Sequence, residues 1–308
     1  MSRDSEKFFK EFQKHLDANA DKVVSQADVE RLLDAFVAQY NGSLPDTLMN
    51  PEIAETSDDF FEIALGADSE KEALKYLKKA LKLDPYNFDA QSYLIDLTAD
   101  DFTERVKKYG DAVSKATKHM AEEGYFEDEY IGKFWGVLET RPYMRLRSMY
   151  TKLLLVCGRM GQVQRECEEL LRLSENDNLG MRHMLMHVYA YFENEEAALA
   201  LYKKYGDFDE APIALPLSIL YYKKGNIPKA LQYLRKVSKS NKDMKKFLKM
   251  IMEDRIEDCG DFEVEGAYRP GTLEELIVEY HENLFLFLSA GIYIEWAYKQ
   301  LTPAKKKK

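Results

Sequence analysis

The stretch that decides the fold reads EALKYLKKALKLDP over residues 72–85. Its pattern returns three times, as QVQRECEELLRL at 162–173, as EAALAL at 196–201 and as KALQYLRKV at 229–237. In each copy the apolar residues recur every three to four positions, which is the period of an amphipathic helix. Self-similarity at a fixed period indicates a repeat architecture built from one supersecondary unit.

The spacing of small residues gives the register of these copies. Val163 lies 34 residues before Ala197, and Ala197 lies 33 residues before Ala230. We predict that Ala73, Ala197 and Ala230 are buried in the second helix of a helical hairpin. A larger side chain there would push the first helix away.

Turn signals precede the copies and support hairpins. Residues 158–161 read GRMG, 193–195 read ENE and 225–228 read GNIP. Asn226 can cap the helix that follows, and Pro228 is tolerated in the first turn of that helix. These residues resemble the tetratricopeptide repeat, a helix-turn-helix of 34 residues with small side chains at set positions. The resemblance implies an all-α fold, a right-handed superhelix of tetratricopeptide-like hairpins with N- and C-terminal capping helices.

A narrower resemblance covers residues 134–205. It rests on FWGVLETRPYMR at 134–145, LLRL at 170–173 and NDNLGMR at 176–182. These motifs are similar to the repeat segment of the suppression-of-tumorigenicity family and of related uncharacterised bacterial tetratricopeptide proteins. The membrane segments of that family have no counterpart here, and the resemblance implies no chemistry.

The rest of the chain divides around this array. Glycine and proline are scarce, at 15 and 9 of 308 residues, which favours long helices with short connections. The capping-box spacing of Ser25 with Asp28, and of Thr272 with Glu275, predicts two further helix starts. We predict an N-terminal helical hairpin at 1–41, a linker at 42–56, about five repeat units at 57–242, a C-terminal helical cap at 243–303 and a basic tail at 304–308.

The charge and the apolar stretches exclude several classes of function. The formal net charge is −10, and an acidic surface repels phosphate backbones, so we expect no nucleic-acid partner. The longest apolar stretch, 284–294, is shorter than the ~20 residues of a membrane span, so we expect no membrane partner either. The three cysteines lack a CxxC motif and the charged start lacks a signal peptide, so we expect free thiols and a cytoplasmic protein.

No catalytic motif is present, and we predict no catalytic residue, metal or cofactor. The best constellation for chemistry is His183 with His187, which lie four apart and therefore on one face of a helix. Two such histidines could supply two ligands of a metal. An alternative function is therefore a metal-dependent or hydrolytic enzyme with a site near these two residues.

The predicted binding site is the concave face formed by the first helices of successive hairpins. Counting back from each small residue places nine side chains on that face: Arg145, Ser148, Lys152, Arg182, Met186, Tyr189, Leu215, Ile219 and Tyr222. Arginine recognises carboxylates through paired hydrogen bonds, and Met and Tyr give adaptable apolar contacts. We predict a non-catalytic adaptor or scaffold that binds an acidic and apolar protein segment. Two alternatives stay open: Met186, Leu215 and Ile219 belong to the core, or the cations pair internally.

Overall fold

The computed structural model describes residues 3–42, 51–206, 210–256 and 269–302. These residues form sixteen α-helices and two short 3-10 helices, and no β-strand occurs among them. The prediction of an all-α fold is confirmed. The predicted basic tail and the middle of the predicted linker lie outside the described residues.

The chain divides into two compact units, here called unit 1 (Met1–Tyr150) and unit 2 (Thr151–Lys308). Unit 1 contains α1 (Arg3–Asp17), α2 (Gln26–Gly42), α3 (Ser57–Leu65), α4 (Glu70–Leu83), α5 (Phe88–Thr98) and α6 (Phe102–Glu122), and α7 (Arg141–Val156) crosses the division. Helix α1 packs on α2, and α3 to α6 pack consecutively, each on the next.

Unit 2 continues with further short helices. They are α8 (Met160–Leu173), α9 (Met181–Tyr191), α10 (Glu195–Tyr205), α11 (Ala211–Lys223), α12 (Ile227–Ser240), α13 (Met244–Met252), α14 (Leu273–Glu282), α15 (Leu284–Leu288) and α16 (Tyr293–Gln300). Helix α9 packs on α8, α10 and α11, and α11 packs on α12. The described part of residues 57–242 thus holds ten helices.

Polar caps explain where many of these helices begin. Thr56 and Asp59 form a reciprocal capping box before α3, and Ser69 and Asn87 each accept the backbone N–H of the third residue that follows. Each such bond satisfies one of the donors that a helix start leaves unpaired. The predicted box at Thr272 does not form, because Glu275 instead accepts the backbone N–H of Gly271 and the side-chain amide of Asn241.

The register of the repeats is set by the turns. Glu193 directly precedes the N-cap of α10, and Gly225 directly precedes the N-cap of α12. Both residues have a left-handed backbone conformation. The fourth residue after each N-cap is then fully buried, and this residue is Ala198 in α10 and Ala230 in α12. Helix α4 follows the same rule with Ala73.

The predicted burial of Ala197 is therefore wrong by one position. Ala197 is only half-buried, whereas its neighbour Ala198 has no exposed surface. The prediction assumed nearly equal spacing between repeats, but the turn at Glu193 lies one residue later than that spacing requires. Successive residues of a helix are about 100° apart, so the slip moves a different side chain into the core.

We expect Ala198→Leu to reduce the free energy of unfolding by about 1–3 kcal/mol, because extra methylene groups must be forced into a filled space. The matched Ala197→Leu variant adds the same atoms at the half-buried neighbour and is expected to cost under about 0.5 kcal/mol. Urea denaturation of both variants measures the difference. Equal losses for the two variants would show that the register given by the turns is incorrect.

Candidate functional site

Five of the nine predicted groove side chains are buried and cannot contact a partner. They are Ser148, Met186, Tyr189, Leu215 and Ile219. Met186, Leu215 and Ile219 therefore belong to the core, which is one of the two alternatives that the sequence left open. The physical reason is that α9 packs against α8, α10, α11 and α15, and α11 packs against α9, α12 and α14, so neither helix keeps a wide open face.

The C-terminal helices cover part of the face that was predicted to be open. Helix α15 packs on α9, and α14 packs on α11. The Tyr293 hydroxyl and the Ser218 hydroxyl are 2.8 Å apart, and the rings of Tyr222 and Trp296 lie 5.0 Å apart. Tyr222 is thus held by aromatic contacts from the chain itself.

The arginines of the predicted groove are paired internally. Arg145 donates from Nε and Nη2 to the two carboxylate oxygens of Asp89, at 2.9 and 2.6 Å, and from Nη1 to Glu6 at 2.6 Å. These carboxylates raise the pKa of Arg145 despite its burial. Arg182 Nη1 lies 3.0 Å from a carboxylate oxygen of Asp177. Lys152 is exposed and has no ion pair within the described part of the chain.

The residues of the narrower resemblance have structural roles. Asp177 caps α9 by accepting the backbone N–H groups of Met181 and Arg182, at 2.7 and 2.9 Å. The Arg141 Nε atom donates to the Trp135 carbonyl oxygen at 2.8 Å and so fixes the start of α7. Asp177 and Arg141 thus help to define the starts of α9 and α7.

The two histidines of the enzyme alternative are directed at different carboxylates. The His187 Nδ1 atom lies 2.9 Å from the His183 carbonyl oxygen, so the ring donates there and leaves Nε2 facing Glu279 at 3.7 Å. His183 Nε2 instead lies 3.4 Å from Glu210. Complete burial lowers the pKa of His187 to about 3 and keeps its ring neutral. No group of three or more His, Cys, Asp or Glu side chains in the described ranges is placed to hold a metal.

The cysteines in the described residues are free thiols, as predicted. Cys157 is exposed and Cys167 is buried. Burial raises the pKa of the Cys167 thiol, which keeps it protonated and unreactive. Cys259 lies outside the described residues.

A cationic surface on α12 and α13 is the feature that the sequence prediction missed. Residues 227–252 contain eight basic side chains and one acidic side chain, in a chain whose net charge is −10. The basic residues are Lys229, Arg235, Lys236, Lys239, Lys242, Lys245, Lys246 and Lys249. They do not form a run, because apolar core residues alternate with them, and a search for continuous basic runs passes over such a pattern. We call their side chains the α12–α13 cationic surface.

The core positions of these helices explain why the cations face outward. Helix α12 buries Ala230, Tyr233, Leu234 and Val237, which recur at helical spacing, and α13 buries Met244, Phe247 and Leu248. The charged positions fall between these, on the opposite side of each helix. The two helices also pack on each other.

Several of these cations have no counter-ion among the residues that the structure describes. Arg235, Lys239, Lys242 and Lys246 are exposed and make no ion pair with any residue that the structure describes. By contrast, Lys229 lies 3.2 Å from Glu195, and Lys249 lies 3.4 Å from Glu253. An unbalanced positive surface in an acidic protein produces a local field that attracts anions.

A shallow groove of about 450 Å³ runs along the outer side of α12. Its walls combine cations with apolar atoms, and they are formed by Pro228, Leu231, Gln232, Arg235, Lys236 and Lys239. Lysine and arginine also present alkyl stems along such a groove while their charged ends stay in water. The groove therefore offers apolar contact next to positive charge.

Comparison with known proteins gives no assignment: no protein-family model matches the chain, and no curated protein matches it. Over the described ranges, none of the helices combines the length and the apolar character that crossing a membrane requires.

Proposed function

We propose that this protein is a non-catalytic adaptor of the tetratricopeptide class, with its hairpins stacked as a right-handed superhelix, and that it binds an acidic segment of another protein. The observation that supports this most is the α12–α13 cationic surface. It places eight basic residues in 26 positions of an acidic chain, and four of them have no counter-ion among the described residues. The surface replaces the predicted groove as the binding site.

The groove along α12 supports a peptide as the ligand. Leu231 and Pro228 line it beside Arg235 and Lys239, so an extended or helical segment can bring apolar and acidic side chains to it together. An exposed ion pair contributes only about 0–1 kcal/mol, so several pairs and the apolar contacts are needed for useful affinity. The net negative charge of the rest of the molecule repels an acidic ligand from other surfaces and directs it to this one.

We expect Arg235→Glu/Lys239→Glu to weaken binding of a glutamate-rich peptide with interspersed leucines by at least about 10-fold, which corresponds to the loss of about 1.4 kcal/mol. The double substitution replaces attraction by repulsion at two positions that line the groove. Fluorescence anisotropy of the fluorescein-labelled peptide with purified protein measures the affinity. Raising the salt from about 50 to about 200 mM should also weaken binding, because the screening length of exposed charges shortens across this range, from about 10 Å at 0.1 M to about 8 Å at 0.15 M.

A control variant with the same change of net charge tests whether the effect is specific to the groove. Lys107 and Lys115 are exposed on α6, and their replacement by glutamate changes the net charge of the protein by the same amount. This variant should bind the peptide nearly as well as the wild type. Equal weakening by both double variants would mean that only the overall charge matters, and the proposed site would be rejected.

A further inference from the structure

Helix α1 carries two different surfaces. Its aromatic surface packs on α2, where the rings of Phe8 and Phe12 lie 5.3 and 5.4 Å from the ring of Phe36. Its polar surface lines a cavity of about 330 Å³ within unit 1, and it contributes Glu6, Lys10, Glu11, Gln13 and Lys14. The aromatic side chains of α1 therefore pack within the α1–α2 hairpin, and its polar side chains face other helices of unit 1.

Two charged contacts join α1 to those helices. The Glu6 carboxylate lies 2.6 Å from Arg145 Nη1 and 3.7 Å from Arg141 Nη1. One helical turn later, Lys10 Nζ lies 2.7 Å from an oxygen of the Asp58 carboxylate. Residues four apart project from the same side of a helix, so α1 presents a glutamate and a lysine to a matching arginine and aspartate.

The receiving groups are held in place by residues other than α1. Asp89 binds the Arg145 guanidinium through two parallel hydrogen bonds, which fix its plane. The Asn87 side-chain amide donates to the other oxygen of Asp58 at 3.1 Å. Arg145 and Asp58 thus each have a partner on α5 or at its N-cap, in addition to their contact with α1.

We propose that this part of unit 1 is a docking site for a partner helix that carries a glutamate and a lysine one turn apart, and that α1 occupies the site as a tethered copy of such a helix. Charge complementarity specifies the ligand: Arg145 selects the glutamate, and Asp58 selects the lysine. The Lys10–Asp58 contact is exposed, with 39% and 57% of the side-chain surfaces accessible, and exposed pairs contribute little. A partner can therefore compete once it overcomes the high effective concentration of the tethered helix. This site is separate from the α12–α13 cationic surface, and its test does not depend on that proposal.

The test uses the full chain and a labelled peptide with the sequence of α1, RDSEKFFKEFQKHLD, acetylated and amidated at its ends. The peptide should bind Glu6→Gln protein at least about 10-fold more tightly than wild-type protein, because the substitution weakens the internal competitor by the equivalent of about one buried ion pair. Glu30→Gln, at an exposed position on α2, is the matched control and should bind the peptide as the wild type does. An α1 peptide in which both Glu6 and Lys10 are replaced by glutamine should not bind.

A second variant covers the case in which loss of the buried Glu6 charge disturbs folding. Lys10→Glu alters only the exposed contact with Asp58 and places two acidic groups opposite each other. It should raise the affinity for the wild-type α1 peptide by about 3-fold or more. Unchanged affinity in both variants would overturn the proposal, and so would equally tight binding of the doubly substituted peptide.

Discussion

Replacing Tyr293 with alanine is expected to lower the free energy of unfolding by about 3–5 kcal/mol, the range for removing a large buried aromatic side chain. Tyr293 is 1% exposed, and its ring contacts Tyr222 at 5.4 Å and Trp296 at 5.6 Å between centroids. Its hydroxyl shares a hydrogen bond with Ser218 on α11. The alanine variant leaves a cavity where α16 meets the first helix of a hairpin. Thermal or urea denaturation measures the loss.

Tyr293→Phe is the control for this experiment. It keeps the ring and removes only the hydroxyl, so we expect a cost of about 1 kcal/mol, the usual net value of one hydrogen bond. Ser218 still donates to the Ala230 carbonyl oxygen in that variant. If Tyr293→Ala were as stable as Tyr293→Phe, the C-terminal helices would not be part of the core of unit 2.

The second large effect is expected at Arg145. Arg145→Met should lower the free energy of unfolding by about 3–5 kcal/mol, because it removes the charge that lies 2.6 Å from both Asp89 and the buried Glu6. Methionine retains most of the apolar stem, so the loss reports the charge rather than the packing. Chemical denaturation in low salt measures it.

Lys152→Met provides the comparison on the same helix. Lys152 is exposed and unpaired among the described residues, so its replacement should cost under about 0.5 kcal/mol. Similar losses of stability for the two variants would mean that the ion pairs of Arg145 contribute no more to stability than the unpaired, exposed Lys152 does.

Local patterns in the sequence predicted the helices well. The 3.6-residue periodicity gave the all-α fold, and the cap at Asn226 gave a helix start to the residue. The register failed at Ala197 because a left-handed glutamate, Glu193, ends the preceding turn. Glycine at such a position is visible in the sequence, as at Gly225, whereas a glutamate in the same conformation gives no signal.

The predicted groove failed for a different reason. Amphipathic periodicity shows that a residue such as Met186 is apolar and lies on a given side of its helix, but not which neighbour covers that side. In unit 2 the chain's own helices cover it, since α15 packs on α9 and α14 on α11. The pairing of Arg145 with Glu6 joins residues 139 positions apart, and no local pattern indicates such a contact.

The α12–α13 cationic surface, in contrast, could have been found in the sequence. Counting charges over the two helices, rather than along continuous runs, separates residues 227–252 from the rest of an acidic chain. The helical period then places Arg235 and Lys239 one turn apart and away from the buried Leu234. What the sequence could not show is which cations lack internal partners, because that depends on contacts between helices.

The most direct test of the adaptor proposal is a reciprocal exchange of charge. A variant with glutamate at the positions of Arg235, Lys239, Lys242 and Lys246 is titrated by fluorescence anisotropy with the glutamate-rich peptide and with the same peptide carrying lysine at every glutamate. We predict that the wild type binds only the acidic peptide, that the variant binds only the basic one, and that both interactions weaken as salt is raised. Retention of acidic-peptide binding by the variant, at the affinity of the wild type, would contradict the account.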